Sequence, residues 1–500
     1  MNPGTELLQN QTKNPMPGPR PMNVFDTLAH AARQWPDRIA IVDAAGPMDY
    51  QSLWREIEVV RSQLAGLGVS AGQGVGMQGR NGRAFIIGAL AALGSGAVVM
   101  PIHHLLKPDE MSAMLARAPL CAILDDASGR APAGETTCDV KVPGGVSLRF
   151  TRMAVPQVPL APWVENAAFL RFTSGTTGAA KGVILTQEGV LERTRAANRG
   201  LGLTREDRVL WVLPMSYHFF ATILLYLEVG CTIVVGPDYL AESILETAWR
   251  NEATFLYVTP MHVRMLTAES SGRALPPSVR RVMSVSSRLH PQAARDFFAR
   301  YRVPISQGYG IIEVGLPLMN LEDAVEHPEA VGRPLPGFEA AILDDRMKPA
   351  APGQTGQLAL RGPGMFAGYL NPRKRREEVL QDGFFLSGDL AHRDDAGRIV
   401  IDGRLKTVID VAGHKVFPEE VAAVLDQHPA VLRSRVSTRP HPQMGEVVHA
   451  EVQLREGFSG TVTEDILSFC RRRLSSHKVP TSIDVSVEIP LTSSGKVRHG

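Results

Sequence analysis

The chain has 500 residues, more than one hydrophobic core usually serves, so two or more domains are expected. Its hydrophobic fraction of 44% and charged fraction of 21% are typical of a soluble globular protein. A formal net charge of +2 gives no strong positive field, which argues against nucleic-acid binding. The one dense basic run, residues 373–376, is followed by two glutamates and is interpreted as a solvated helix face.

Cysteine usage and hydropathy bear on the compartment. The four cysteines lie far apart and form neither CxxC pairs nor a Cys/His zinc spacing, which favours a reducing cytoplasm. Residues 1–22 are polar and proline-rich, unlike a signal peptide, and are expected to form a disordered lead-in. Residues 84–102 carry no charge, but Gly94 and Gly96 interrupt them. A buried helix and a buried strand are therefore predicted there, rather than association with a membrane.

Helical and strand patterns alternate along most of the chain. Hydrophobic periodicity predicts helices over residues 24–34 and 50–67, and strands over residues 39–42, 74–78, 209–213, 232–235, 255–258 and 279–285. This alternation is typical of an α/β protein with largely buried sheets. Near residue 400 the pattern changes to short strands and a helix that begins at Pro418. We therefore predict a large N-terminal domain of α/β layers with packed sheets (23–403), a boundary at 404–406 and a small α+β C-terminal domain (407–500).

The sharpest local signal is FTSGTTGAAKG, residues 172–182. Glycines let backbone amides face an anion, hydroxyl groups add donors and Lys181 adds a positive charge, so the segment is typical of a phosphate-binding loop. A Walker A loop requires glycine before the lysine and serine or threonine after it, but Ala180 and Gly182 stand there. A flexible glycine-threonine loop without a ligand is the alternative.

This loop resembles the signature loop of the adenylate-forming superfamily of acyl-CoA synthetases, peptide-synthetase adenylation domains and luciferases. Further matches follow in the superfamily's order: QGYGIIEVG (307–315), GQLALRGPGMFAGYLN (356–371), FLSGDLAHRDDAGRIVIDGRLKTVIDVAGHKVFPEEVAAVL (385–425) and PLTSSGKVR (490–498). The likeness covers the chain from about residue 23 to residue 500. It implies an ATP-dependent ligase that activates a carboxylic acid as an acyl-AMP and transfers the acyl group to a thiol.

The resemblance also implies roles for individual residues. Glu313 is expected to bind Mg²⁺, and Asp389, assisted by Arg404, to accept the ribose hydroxyls. Tyr309 is expected to stack on adenine, with Gly310 and Ile312 beside it along the nucleotide. The residues expected to hold the β- and γ-phosphates are Thr173, Ser174, Gly175, Thr176, Thr177, Gly178 and Lys181.

The C-terminal domain is expected to be a mobile lid. Lys496 matches the lysine that contacts the α-phosphate and the substrate carboxylate during adenylation, where a cation stabilises the developing negative charge. Lys406 stands at the hinge about which the lid swings, and Gly413 belongs to the segment that then meets the thiol. His218 is either a gate of the acyl pocket or a plain buried histidine.

Several positions depart from the superfamily's pattern. Ile312 replaces the usual threonine before the metal-binding glutamate, which removes a donor to the α-phosphate. Residues 284–289 (SVSSRL) replace a glycine-rich turn, and Arg288 within them either pairs with a second substrate carboxylate or faces solvent. Because the charged site residues are all present, an active enzyme is favoured over a degenerate one.

The predicted function is that of an acyl- or aryl-CoA synthetase. The expected pocket residues are mostly apolar and suit a fatty or aryl acid: Phe219, Phe220, Tyr257, Val258, Ile311 and Leu316. ATP, Mg²⁺ and CoA are the expected cofactors and co-substrates, and a monomer or homodimer is expected. A ligase that loads the phosphopantetheine of an acyl carrier protein is the nearest alternative. A non-catalytic nucleotide-binding protein is an alternative of another class.

Overall fold

The computed structural model describes residues 23–106, 108–128, 134–155, 158–172, 181–411, 414–441, 445–459, 462–491 and 497. In chain order the α-helices are α1 Val24–Gln34, α2 Tyr50–Gly66, α3 Arg83–Gly94, α4 Pro108–Leu115, α5 Gln187–Leu201, α6 Met215–His218, α7 Leu224–Glu228, α8 Ala241–Arg250, α9 Pro260–Ala268, α10 Pro291–Tyr301, α11 Pro418–Leu425 and α12 Thr463–Arg471. A π-helix, Phe219–Ile223, joins α6 to α7, and short 3-10 helices are Arg376–Glu378, Leu405–Thr407 and Ser476–Lys478.

The strands of the N-terminal half are β1 Ile39–Asp43, β2 Gly46–Asp49, β3 Gly74–Gly79, β4 Val98–His103, β5 Ala122–Asp125, β6 Thr136–Lys141, β7 Ser147–Arg152, β8 Ala167–Phe172, β9 Gly182–Thr186, β10 Arg208–Trp211, β11 Thr232–Val235, β12 Phe255–Val258 and β13 Arg281–Ser284. They continue with β14 Ile305–Ile311, β15 Gly315–Met319, β16 Arg333–Pro334, β17 Glu339–Leu343, β18 Gly356–Arg361, β19 Gly368–Tyr369, β20 Lys374–Arg375, β21 Phe385–Arg393, β22 Ile399–Arg404, β23 Ile409–Val411, β24 His414–Val416, β25 Val431–His441, β26 Gly445–Leu454 and β27 Ser482–Ser486.

Within the described residues these strands form four sheets. Two have nine strands each, in the orders β16-β15-β14-β13-β12-β10-β11-β1-β2 and β20-β19-β9-β8-β4-β3-β5-β7-β6. Their central strands pair in parallel and are largely buried, and their outer strands pair antiparallel. A third sheet, β17-β18-β21-β22, is antiparallel, and a fourth, β24-β23-β26-β25 with β27 beside β26, belongs to the C-terminal region.

Local sequence signals explain where several helices begin and end. The side chain of Asn23 accepts a hydrogen bond from the backbone N–H of Asp26 and caps α1. The hydroxyl of Thr186 caps α5 in the same way, through the N–H of Gly189 at 3.0 Å. Helix α5 ends at Gly202, whose left-handed φ of 61° suits a residue without a side chain.

The uncharged segment 84–102 forms a buried helix and a buried strand, as predicted. Helix α3 is buried on nearly all sides and ends in a turn at Gly96, where φ is +79°, before β4 begins. The charged start of α3 is stabilised by Asp43, which binds the Arg83 guanidinium at 2.6 Å. Among the helices of the described residues, none has the length and apolar character needed to cross a bilayer.

The basic run 373–376 does not form the helix face expected from its sequence. Residues 373–375 are exposed, as predicted, and Arg376 is half-buried, but residues 374–375 form the edge strand β20 and Arg376 begins a 3-10 turn. The guanidinium carbons of Arg373 and Arg375 lie 5.2 and 5.9 Å from the centroid of the Trp163 ring. The short β-pairing with β19 therefore overrides the helical preference of the charged residues.

Separate hydrophobic cores underlie the two regions of the chain. The largest core contains side chains of both nine-stranded sheets, such as Ile41 of β1 and Val75 of β3, with α3 among them. The small region has its own core, which includes Val421 and Val448. The predicted fold class, α/β layers with packed sheets and a small C-terminal domain, is confirmed. The boundaries at 403 and 407 stay a prediction.

Candidate active site

One cavity of about 1580 Å³ is lined by residues of both nine-stranded sheets and of the antiparallel sheet of β17, β18, β21 and β22. Many of its lining residues lie at the carboxyl ends of parallel strands or just after them, such as His103 at the end of β4 and Val212 just after β10. Ligands of open α/β sheets bind at these ends. The cavity is therefore the candidate active site.

Glu313 lies in the turn between β14 and β15 and borders this cavity. Its Oε1 accepts a hydrogen bond of 2.9 Å from the hydroxyl of Tyr369. Burial raises the pKa of the Glu313 carboxyl, while the Tyr369 hydrogen bond and the charges of Lys181 and Arg193 oppose that rise. Lys181 lies on the same side, with Nζ 4.7 Å from the centroid of the Tyr369 ring.

This corner of the cavity suits Mg²⁺. Among the described residues there is no cluster of three or more histidines, cysteines or carboxylates that would hold a metal alone. A single carboxylate fits Mg²⁺, which is commonly held by one or two protein carboxylates together with nucleotide phosphates. The buried position of Glu313, which disfavours a bare negative charge, also fits a neighbouring cation.

Arg193 joins two backbone segments, one at Ile312 beside Glu313 and one at Gly364. It projects from α5, is 3% exposed, and donates hydrogen bonds from Nε to the carbonyl of Gly364 at 2.7 Å and from an Nη to the carbonyl of Ile312 at 2.8 Å. Burial lowers the pKa of its guanidinium to about 10, so it remains charged at neutral pH. Neither Arg193 nor Tyr369 was predicted as a site residue. The sequence did contain one sign that Arg193 has a special role: it is a charged residue on the apolar face of a helix, between Val190 and Ala197.

Asp389 and Arg404 face each other across the β21–β22 pair. Arg404 Nε lies 3.1 Å from Oδ1 of Asp389, and the hydroxyl of Tyr309 donates to the other carboxylate oxygen. Burial and then the negative charge of Asp389 hold the pKa of Tyr309 well above its usual value, so the phenol stays a donor. The backbone N–H of Asp389 donates to the hydroxyl of Ser387 at 3.0 Å, which fixes the turn before it. Tyr309, Asp389 and Arg404, all predicted to bind the nucleotide, therefore meet at the Asp389 carboxylate. The stacking of Tyr309 on adenine stays a prediction.

His218 lies on an aromatic wall of the cavity. Its ring centroid is 5.7 Å from that of Trp211 and 5.6 Å from that of Tyr257, in edge-on contacts. Four of the predicted pocket residues border the cavity, namely Phe220, Tyr257, Ile311 and Leu316. The prediction was wrong for the other two, because Phe219 and Val258 are fully buried in hydrophobic cores. Phe219 packs against Phe85 with ring centroids 5.6 Å apart.

Arg171, which was not predicted as a site residue, also lines the cavity, together with His103 and Tyr217. The guanidinium of Arg171 lies 4.6 Å from the centroid of the Tyr217 ring and donates to the carbonyl of Ser216 at 3.0 Å. His103 stacks on the same ring at 5.2 Å. Burial, reinforced by the charges of His104 and Arg171, lowers the pKa of His103 to about 4, so His103 is neutral at pH 7.

Only some of the remaining predicted site residues lie in the part of the chain that the structure describes. Gly310 and Ile312 border the cavity beside Glu313. Lys406 lies within the 3-10 turn Leu405–Thr407 that follows β22, where the hinge was predicted. Arg288 is exposed at the cavity's edge. The predicted residues Thr173, Ser174, Gly175, Thr176, Thr177, Gly178, Gly413 and Lys496 lie outside the described residues.

With the geometry in place, comparison with known proteins decides the family. Residues 28–370 match the model of the AMP-binding enzyme family, and residues 420–496 match the AMP-binding enzyme C-terminal domain. The chain belongs to the AMP-binding enzyme family. The sequence-based resemblance to adenylate-forming enzymes is thereby confirmed.

Relatives of this AMP-binding enzyme include a sulfoacetate–CoA ligase of Cupriavidus necator, 31% identical, with 95% of this chain and 97% of the relative covered. A salicyl-AMP ligase / salicyl-S-ArCP synthetase of Mycobacterium tuberculosis is 29% identical, with 94% and 88% covered. The o-succinylbenzoate CoA synthetase of Bacillus subtilis, solved with its acyl-adenylate intermediate, shares the fold at a TM-score of 0.83 and 24% identity, with 95% and 97% covered. The predicted class of enzyme, an AMP-forming ligase of the acyl-CoA synthetase type, is confirmed at this level, and its acid is left open.

Proposed function

We propose that this enzyme activates a carboxylic acid with ATP and Mg²⁺ and transfers the acyl group to CoA. The observation that carries the proposal is the presence of two polar pairs on one cavity. Glu313 and Lys181 suit the metal-phosphate end of ATP, while Asp389 and Arg404 suit its ribose end. Residues of the same cavity therefore suit both ends of one nucleotide.

The chemistry has two steps. In the first, a carboxylate oxygen attacks the α-phosphorus, the bond to the β-phosphate oxygen breaks, and pyrophosphate leaves. Lys181 is proposed to bind phosphate oxygens, and Asp389 to fix the ribose and hence the line of attack. Bound Mg²⁺ would supply charge neutralisation of the phosphates. In the second step the thiol loses its proton to solvent and its sulfur attacks the acyl carbonyl; a C–S bond forms, the bond from the carbonyl carbon to the phosphate oxygen breaks, and AMP leaves with the bonding electrons.

The C-terminal domain is proposed to serve these steps in turn. Lys496 is proposed to bring a cation to the α-phosphate during adenylation, and Lys406 to be the hinge that withdraws it before Gly413 meets the thiol. The turn Leu405–Thr407, between the sheet that carries Asp389 and the sheet of the small domain, supports a hinge at this place. His218 is proposed to border the acyl group, as its position on the aromatic wall supports.

CoA is proposed as the acceptor because of the likeness to the sulfoacetate–CoA ligase. The likeness to the salicyl-S-ArCP synthetase keeps an acyl carrier protein as the second candidate. A cytoplasmic location is proposed as well, since the four cysteines, all within the described residues, are thiols rather than disulfides. A monomer or homodimer stays our expectation.

The test is acid-dependent ATP–pyrophosphate exchange with a panel of carboxylic acids, followed by thioester analysis with CoA or holo carrier protein. Exchange with at least one acid, and a CoA thioester from that acid, are expected. Exchange with transfer only to the carrier protein would favour the second candidate. Binding of ATP without exchange for any acid would refute the proposal and support the non-catalytic alternative.

A further inference from the structure

Arg171 is a charged residue at an unusual place in the cavity. It lies on β8, whose neighbours Phe169 and Leu170 are fully buried, and it is itself half-buried where it meets the cavity. One side of the guanidinium faces the Tyr217 ring and the carbonyl of Ser216. A guanidinium has five N–H donors in a fixed plane, so these contacts leave it donors for another group.

No carboxylate of the described residues forms an ion pair with the Arg171 guanidinium. Its contacts there are with the Tyr217 ring and the Ser216 carbonyl, neither of which carries a negative charge. By contrast, Arg404 pairs with Asp389 at 3.1 Å, and Glu313 stabilises the charge of Arg193. Removing a guanidinium from water without an anion is costly, so an anionic ligand at Arg171 would offset that cost.

The position of Arg171 relative to the aromatic wall suggests which ligand supplies this anion. Tyr217, which packs on Arg171, is adjacent in the chain to His218, which lies on the aromatic wall. Arg171 and His218 both line this cavity, so an acid that binds there shares its space with both side chains. The carboxylate that reacts cannot supply the lasting partner, because it becomes a mixed anhydride and loses its charge on adenylation.

We infer that the acid accepted by this cavity carries a second anionic group, a carboxylate or a sulfonate, which the Arg171 guanidinium binds. This inference rests on the proposed function and narrows its substrate class. The neutral imidazole of His103, stacked on the Tyr217 ring, is a further polar neighbour for that group. Both anions present planar or trigonal oxygens that match two guanidinium N–H groups.

The test compares acids of matched length, one with and one without the second charge: malonate with propionate, and succinate with butyrate, with sulfoacetate as the sulfonate probe. The quantity measured is kcat/KM for the acid in ATP–pyrophosphate exchange. The wild-type enzyme is expected to prefer the doubly charged member of at least one pair, or sulfoacetate over propionate. Arg171→Met is expected to lower kcat/KM for the preferred doubly charged acid by about 10- to 100-fold, and that for its monoanionic match by no more than about threefold.

Two further variants distinguish a specific role of Arg171 from a general effect of positive charge in the cavity. Arg171→Lys keeps the charge without the planar fork and is expected to retain part of the preference. Arg288→Met removes an exposed cavity arginine and is expected to change both acids of a pair alike. Thermal unfolding of each variant shows whether it folds, and the wild-type preference tests the inference even if Arg171→Met does not fold.

Three results would overturn the inference. A wild-type preference for monoanionic acids in every pair would exclude a second anion. An equal loss for both acids in Arg171→Met, with a raised KM for ATP, would assign Arg171 to the nucleotide instead. Loss of the preference in Arg288→Met but not in Arg171→Met would place the second anion at Arg288. Absence of exchange with all acids would refute the proposed function itself, a result distinct from these three.

Discussion

Replacement of Tyr369 by phenylalanine tests the electrostatics of the metal corner. Tyr369 donates its hydroxyl proton to Glu313 Oε1 at 2.9 Å, and Glu313 is 8% exposed. Burial raises the pKa of the Glu313 carboxyl, and this hydrogen bond opposes that rise. Tyr369→Phe keeps the ring that lies under Lys181 but removes the donor. The pKa of Glu313 is therefore expected to rise further.

The size of the effect follows from the type of hydrogen bond. A hydrogen bond to a charged group contributes about 1.5 to 3 kcal/mol, and one pKa unit corresponds to about 1.4 kcal/mol. Loss of this bond is therefore expected to raise the pKa of Glu313 further. Because the carboxylate, and not the carboxylic acid, suits Mg²⁺, activity is present above this pKa and is lost as the pH falls through it. The acid limb of the pH profile is expected to move to higher pH by the same amount.

The assay is ATP–pyrophosphate exchange at saturating acid, with kcat/KM for ATP measured from about pH 5 to 9, since this ratio reports groups of the free enzyme. Tyr309→Phe is the matched control, because its hydroxyl donates to Asp389 instead of Glu313. It is expected to leave the acid limb in place, whatever it does to the rate. The ionisation of ATP is the same in assays of the wild-type enzyme, Tyr369→Phe and Tyr309→Phe, and does not affect the comparison. A uniform loss of rate in Tyr369→Phe with an unmoved acid limb would refute the reasoning.

Three further predictions concern the nucleotide and the lid. Lys496→Ala is expected to abolish exchange but spare thioester formation from supplied acyl-AMP, because its cation is proposed to act on the first step only; equal loss of both steps would contradict this. Ile312→Thr is expected to raise kcat of adenylation about tenfold by restoring a donor to the α-phosphate, and an unchanged single-turnover rate would speak against that role. Asp389→Asn is expected to raise the KM for ATP about tenfold with a smaller effect on kcat, because a neutral amide accepts ribose hydroxyls more weakly. An unchanged KM would remove Asp389 from the ribose site.

Much of the fold was predictable because its signals are local. The helix predicted over residues 24–34 has those bounds in the structure, since the cap at Asn23 and the spacing of apolar residues both lie within it. The helix that begins at Pro418 was predictable for the same reason. The prediction for the basic run 373–376 was wrong because its conformation depends on pairing with β19, which its own composition does not reveal.

The site was predictable in part, for a similar reason. Glu313, Asp389 and Arg404 could be named because each stands in a motif whose order is preserved along the chain. Arg193 could not, because its partners at Gly364 and Ile312 are 171 and 119 residues away. Arg171 likewise resembles an ordinary polar residue of a strand until the strand is placed against α6. Contacts between distant segments define these roles, and periodicity carries no information about them.

The contact between Arg193 and Ile312 also bears on whether the enzyme is active despite its unusual residue 312. The substitution of isoleucine for threonine changes a side chain, but Arg193 binds the main-chain carbonyl at that position. A backbone contact of this kind does not depend on which side chain residue 312 carries. The buried guanidinium therefore keeps Glu313 in place, and the substitution is expected to alter the proposed contact with the α-phosphate without displacing the carboxylate proposed to bind the metal. A slower first step with an intact binding site, rather than a degenerate site, follows from this arrangement.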